Sequence, residues 1–335
     1  MKDRLIAGYK DKRGVDVARK VLLHSLYENK YGVMPPKPDH LRADLVSRDM
    51  SFAAGRGRVD EVMLTVTVGG REFSFPIHVA MPSGTTSLPT FIHVSHFDGV
   101  IDKFSPAEEI VDNGFALISF APEAILPKLK RYLGVTRRTL NSSGDICLSA
   151  WLALRVFEYA TALSEVDGER CAMIGHGHFG AAAMLAGAAC ERIKYVISNS
   201  CGIEGCELEV GNRNGAASLK REHAELFCRR YTRMVGVCEE SEAHVLASLI
   251  APRHLIITSA TDECGLDPQS ALRAAKIAGE IYENIYGAEC GFDKIDGSYS
   301  ALPKCGMVAF HERKGTAYLS RRDWGVYMNY IKQSS

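Results

Sequence analysis

The chain has 335 residues, 46% apolar and 24% charged, which suits one large or two small soluble globular domains. Forty basic residues balance forty acidic ones, so there is no electrostatic case for nucleic acid or an anionic membrane as a partner. No apolar run approaches the ~20 residues that span a bilayer, and the opening "MKDRLIAGYKDKRG" has no apolar h-region and no small-residue cleavage site.

The first element is a helix over 15–31, with Val17, Val21, Leu22, Leu26 and Tyr27 at helical spacing, ended by "GVMPPKPDH". Two strands follow, "VDEVMLTVTV" and "EFSFPIHVAMP", joined through Gly69-Gly70 as a hairpin. The pattern then alternates. "PTFIHVSHF" reads as a strand, "AEEIVDNG" as a helix, "FALISFAP" as a strand and "ICLSAWLALRVFEYATAL" as a long helix. "RCAMIG" is a strand and "GAAAMLAGAACE" a helix. "IKYVISNS" and "HLIITSAT" are strands, "SALRAAKIAGEIYENIYG" a helix, "GMVAFHER" a strand and "RRDWGVYMNYIKQ" a closing helix. Such alternation implies a mostly parallel sheet with helices on both faces, made mixed by the leading hairpin. No linker breaks the middle. The expectation is one α/β domain over 1–335: a helix and antiparallel edge in 1–85, and a core α/β sandwich in 86–335.

The ten cysteines are scattered, without a C-x-x-C, and "CGIEGC" has no second pair at metal-ligand spacing. Reduced thiols used as small core residues in a cytoplasmic protein are expected.

"CAMIGHGHFGAAAMLAGA" has the form of a buried strand, a sharp turn and a helix packed tightly on a sheet. In many hydrolases that turn carries a nucleophilic serine above the sheet edge, as in G-H-S-R-x-G. Here the slot is Gly177, between His176 and His178. Glycine reaches positive φ at little cost, so the turn can persist without a hydroxyl. "GHGHFG" lacks both G-x-G-x-x-G and the Walker Lys-Ser/Thr pair, which removes the phosphate-cradling reading.

From about residue 20 to 332 the chain resembles the bacterial α/β-hydrolases related to acetyl xylan esterases and glucuronoyl esterases. "YENKYGVMPP" is similar to that family's E-x-Y-G-x-x-P segment. "LIAPRHLIITSATDECGLDP" is similar to its A-P-R-P-L strand and D-x-x-x-D-P acidic loop, and "FHERKGTAYLSRRDW" to its closing H-x-R-x-G-x-H-x-L-x-x-x-D-W. The resemblance implies an α/β-hydrolase fold and a carbohydrate or small ester ligand, with no cofactor. It also implies a degenerate triad. The nucleophile position is Gly177, the family's following arginine is His178, and the base position is Ala317. His311 matches a different histidine, borne on the closing strand. Asp262 or Glu263 takes the acid slot, and the alternative acid position after the preceding strand holds Asn199-Ser200.

The surviving polar groups at the expected cleft are His96 and Asp98 from "HVSHFDG", with His176 and His178 from the turn. His93 points to the opposite face from His96, and His176 packs inward. Two imidazoles and a carboxylate can bind zinc, and His96, His178, Asp98, Asp262 and Glu263 are the candidates. The expectation is instead that these histidines are satisfied by water or by the acid loop. Cys201 and Ser200 follow a strand end and Cys264 lies in the acid loop; without a sequence-local base they are read as buried and structural. Arg137, Arg138, Arg229, Arg230 and Arg233 are read as solvated charge near the cleft mouth. Three functions stay open: a degenerate esterase that still binds its ligand, a hydrolase with a replaced metal-assisted mechanism, and a scaffold.

Overall fold

The structure is a computed structural model that describes residues 12–100, 104–135, 138–288, 290–291 and 306–334. Arg137 and Cys305 lie outside the described residues. Its strands are β1 (His40–Asp49), β2 (Gly57–Val68), β3 (Arg71–Pro82), β4 (Leu88–Val94), β5 (Ala116–Phe120), β6 (Val166–His176), β7 (Tyr195–Asn199), β8 (His254–Ala260) and β9 (Val308–Arg313). Its helices are α1 (Lys12–Leu26), α2 (Ala107–Asp112), α3 (Pro122–Tyr132), α4 (Asp145–Ala160), α5 (His178–Ala189), α6 (Ala217–Glu222), α7 (Arg229–Arg233), α8 (Ala243–Ser248), α9 (Pro268–Tyr286) and α10 (Arg321–Ser334).

The strands form one sheet in the order β1-β2-β3-β5-β4-β6-β7-β8-β9. β1, β2 and β3 are antiparallel, and β3 meets β5 antiparallel. From β5 to β9 every pairing is parallel. This is the mixed, mostly parallel α/β sheet that the alternation implies. The β2–β3 register closes on Val68↔Arg71, around Gly69 and Gly70 with φ of 56° and 75°. Two successive positive φ values are what a two-residue type I′ turn requires.

Period-two alternation divides the sheet between two cores. Ile92, Met173 and Val196 face a cluster with side chains of α1, α3, α4, α5, α8 and α9. Phe91, Ala172, Ile174 and Ile197 face a second cluster with α2 and α10. There Trp324 stands edge-on to Phe91 and His93, with centroid distances of 5.1 and 5.3 Å.

The short helices α6, α7 and α8 escape the sequence pattern, and so do β1 and α3. β1, "HLRADLVSRD", is exposed along nearly its whole length. It carries no alternating apolar face; charges, a bulge at Leu45/Ser47 and the fork of Arg48 on Asp60 (2.6 and 2.8 Å) mark it as a protected sheet edge. α3 contains Pro127, which hides its periodicity. Among the described residues no helix is long and apolar enough to cross a membrane.

Three imidazoles are buried by this packing. His93 bonds Ser105 Oγ (2.9 Å), His254 bonds Tyr330 OH (2.8 Å), and His244 Nδ1 has no partner among the described residues. Burial removes water from the charged form and pushes His93 down to about 3, and His244 and His254 down to about 4. An unfolded chain takes up these protons near pH 6.5, so below that pH the unfolded state binds more protons than the folded one. Stability is therefore expected to be full above pH ~6.5 and to fall toward pH ~4, by up to ~1.4 kcal/mol per pH unit for each imidazole. Denaturant titrations across this range should show it, and His244→Leu should remove about one proton's worth of the slope.

Candidate functional site

β4 lies between β5 and β6, so the chain leaves its carboxyl end toward one side and returns past it on the other. Ligand clefts in open α/β sheets form at such switch points. The residues brought there are Glu123 in the first turn of α3 after β5, His96 after β4, and His176, Gly177 and His178 at the junction of β6 and α5.

β6 ends at His176 and α5 starts at His178, so Gly177 alone makes the turn, with φ 57° and ψ −136°. Its N–H donates to Asn199 O (2.9 Å), and its carbonyl accepts from Gly180 N (2.8 Å). The flanking glycines leave no alternative. A Cβ at Gly175 would lie 2.1 Å from Phe179 O, one at Gly180 2.4 Å from Ser198 Oγ, and one at Gly187 2.4 Å from Val196 Cγ2. Among the described residues a Cβ at Gly177 would meet only His96 Nε2, at 3.8 Å. The elbow is built and its slot is open. The first N–H groups of α5 point out of the helix without intrahelical partners, as at any helix start.

The loop expected to carry the acid and the position expected to carry the base meet. Ala317 N donates to Glu263 Oε2 (3.2 Å), while Asp262 Oδ1 accepts from Thr261 Oγ1 (2.8 Å). His311 lies inside β9, paired with Thr258. At the alternative acid position, Asn199 holds His176 Nδ1 through Oδ1 (2.8 Å) and donates to Tyr327 OH (2.9 Å), which also meets Thr258 Oγ1 (2.8 Å). Burial pushes His176 down, and pushes His178 down to about 4 with help from the neighbouring imidazoles.

The histidine cluster differs from the expectation. His96 and His178 come together edge-on, with ring centroids 5.1 Å apart. Their carboxylate is neither Asp98, Asp262 nor Glu263. Asp98 turns to His78 of β3 at 3.1 Å, because the β4 loop folds back over the antiparallel half of the sheet. The acid-loop carboxylates are engaged on the Thr261 hydroxyl and on the Ala317 turn. Glu123 takes the place instead, 3.1 Å from His96 Nδ1 and 3.9 Å from His178 Nε2. Among the described residues, His96, Glu123 and His178 form a group whose ligand atoms lie within 4.8 Å of one another. The sequence signal for Glu123 is an acidic residue in the first helical turn after the strand that pairs with β4, and that pairing is not readable from spacing.

Ser200 has φ 53° and a buried Oγ without a partner among the described residues, and Cys201 is buried with its thiol pushed well above its ordinary value. Cys264, expected to be a buried thiol, is exposed in the acid loop. Of the arginines expected as solvated charge, Arg230 and Arg233 are exposed, while Arg138, Arg229 and Arg230 also tie loops together. Arg138 donates to the carbonyls of Ala224 and Phe227, Arg229 to Arg138 O (2.9 Å), and Arg230 to Asn141 Oδ1 (3.1 Å).

The profile of a family described as glucuronyl esterase, fungi, matches residues 64–286. The chain belongs to the glucuronyl esterase family. Similar curated relatives are carbohydrate esterase MZ0003 from an unknown prokaryotic organism and 4-O-methyl-glucuronoyl methylesterase 1 of Phanerochaete chrysosporium. The first is 26% identical over 195 residues, 56% of this chain and 44% of that protein. The second is 23% identical over 285 residues, 79% and 57%. The chain thus spans about half the length of the curated relatives it matches. The glucuronoyl esterase of Solibacter usitatus shares the fold at a TM-score of 0.83, with 20% identity over 97% of this chain and 94% of that one. A Sporotrichum thermophile glucuronoyl esterase variant, solved with methyl 4-O-methyl-beta-D-glucopyranuronate, superposes at 0.68, with 19% identity over 97% and 84%.

For this glucuronyl esterase fold the elbow glycines should separate cleanly. Gly175→Ala forces a methyl group into backbone and should cost at least the upper part of the ~1–3 kcal/mol typical of overpacking. Gly177→Ala has room and bears only the backbone strain, about 1–3 kcal/mol. Urea unfolding of both variants should rank Gly175→Ala as the more damaging; the reverse order would refute the close-approach account.

Proposed function

We propose that this member of the glucuronyl esterase family binds a carbohydrate ester of the glucuronate type in the cleft at the switch point and does not hydrolyse it by serine chemistry. The observation that carries the reading is Gly177: an elbow of nucleophile geometry, φ 57° and ψ −136°, with no side chain in the slot. Ala317 supports it, because the base position offers Glu263 only a backbone N–H. Without an oxygen nucleophile and a base, ester cleavage loses both bond formation and proton transfer. What stays is oriented binding plus the N–H donors at the start of α5, worth about 10³–10⁴ over water in enzymes stripped of their triads. The ligand class follows from the family and from the methyl glucuronate derivative named for the Sporotrichum thermophile relative.

The test pairs binding with turnover. The purified chain should bind methyl glucuronate in calorimetry, show no release of methanol above buffer, and resist labelling by a fluorophosphonate. Labelling of a serine together with turnover would overturn the reading. The double variant Gly177→Ser with Ala317→His is expected to exceed Gly177→Ser alone by about 100-fold in hydrolysis, the low end of what a general base contributes.

A further inference from the structure

His96 faces two acceptors. Its Nε2 lies 3.1 Å from the carbonyl oxygen of His176, and its Nδ1 lies 3.1 Å from Glu123 Oε1. A carbonyl can only accept, so Nε2 carries the N–H. A neutral ring then presents the bare lone pair of Nδ1 to a carboxylate, lone pair against lone pair. Such a pair closes only with a cation between the two atoms, either a second proton or a metal ion. The Nε2–H bond to a backbone carbonyl is also the contact that orients metal-ligating histidines and fixes their tautomer.

A third donor stands beside this pair. His178 Nε2 is 3.9 Å from the same Glu123 oxygen, and its ring makes no hydrogen bond among the described residues. We propose that His96 Nδ1, His178 Nε2 and the Glu123 carboxylate bind one borderline divalent cation of the zinc type at the mouth of the cleft. Two imidazoles and one carboxylate are a zinc donor set that leaves a coordination position open. Bonds of about 2.0–2.2 Å to a tetrahedral ion separate its ligand atoms by about 3.4 Å. The present separations of 3.1 and 3.9 Å bracket that value. The remaining adjustment falls on Glu123, whose side chain is 55% exposed and free to turn, while both histidines are about one quarter exposed and so reachable from solvent. The inference goes beyond the ester-binding reading and does not depend on it, since no ester is needed for the ion to bind.

The experiment strips the full chain with a chelator, titrates it with zinc chloride in a calorimeter, and measures zinc by elemental analysis after desalting. One equivalent is expected. Glu123→Gln should weaken binding by about 10-fold or more, and His178→Ala by about 100-fold or more. Asp98→Asn and Glu263→Gln should leave it unchanged, because those carboxylates are engaged elsewhere. Cobalt(II) loaded in place of zinc should give the intense visible bands of a low-coordinate site, and these should be lost in Glu123→Gln. If His178→Ala fails to fold, Glu123→Gln, at a half-exposed position, carries the test. No saturable binding, or binding that Glu123→Gln leaves intact, overturns the proposal and reduces the pair to an ion pair between a doubly protonated His96 and Glu123. Methyl glucuronate calorimetry on the stripped protein reads the ester site separately, so either result can fail alone.

Discussion

Everything at the carboxyl edge of the sheet depends on how closely α5 approaches β6 and β7. Three positions set that distance, Gly175, Gly180 and Gly187, and each has a neighbour within 2.4 Å of where a methyl group would go. Ten consecutive residues of the helix, Phe179 to Ala188, are buried, most of them alanine or glycine. A helix this small-sided and this apolar has no solvent face to present. It must lie between the sheet and α4, and the strand before it must turn sharply to deliver it there. The positive φ at Gly177 is a consequence of that packing. The elbow is therefore held by the core, and its geometry does not require the hydroxyl that such turns carry in serine hydrolases.

This separates what keeps the fold from what performs chemistry. The E-x-Y-G-x-x-P segment belongs to the first kind. Tyr31 donates its hydroxyl to Glu204 O at 2.6 Å, and Gly32, with φ 88°, lies so close to Ser142 that a Cβ would approach its carbonyl oxygen to 2.4 Å. Lys30 beside it is fully buried, donates to Ile203 O (3.0 Å) and lies 3.7 Å from Glu209, which also accepts from Tyr231 OH (2.5 Å). Such a cluster anchors the segment after β7 to the N-terminal helix, and removing one partner would leave a buried charge uncompensated. A motif of this sort is required by stability, whatever chemistry the cleft performs.

The same distinction explains what could be read from the sequence. Elements that bury apolar surface announce themselves and were legible: the β2–β3 hairpin by its alternation, the parallel strands and α5 by unbroken apolar runs. β1 was not, because an edge strand is kept soluble by the charges that erase its pattern. The sharp turn at Gly177 could be read by motif, since it lies between glycines the fold needs, and Ala317 lies beside the Glu263 loop. Glu123 could not. Its nearness to His96 comes from β5 pairing with β4, a contact decided by sheet order. Asp98 misled for the matching reason: two residues from His96 in sequence, it turns to His78 on a strand that no local spacing connects to it.

The imidazoles of this edge divide by the chemistry of their partners. His93 meets a hydroxyl, and His176 meets an amide whose other end continues to Tyr327 and Thr258. Hydroxyls and amides can donate or accept, so a neutral ring is satisfied and nothing further is demanded of it. His96 meets a carbonyl and a carboxylate, which can only accept. Its Nε2 is the ring nitrogen nearest the open slot, 3.8 Å from a Cβ at position 177, yet the proton on that nitrogen is committed to His176 O. An N–H already donating cannot take a proton from a nucleophile, so His96 is not a relocated base. The geometry that denies it this role is the one that turns its other nitrogen toward Glu123 and His178. On the proposed reading, the edge has given up proton transfer while keeping groups that hold charge in place. A site changed in that way is suited to binding.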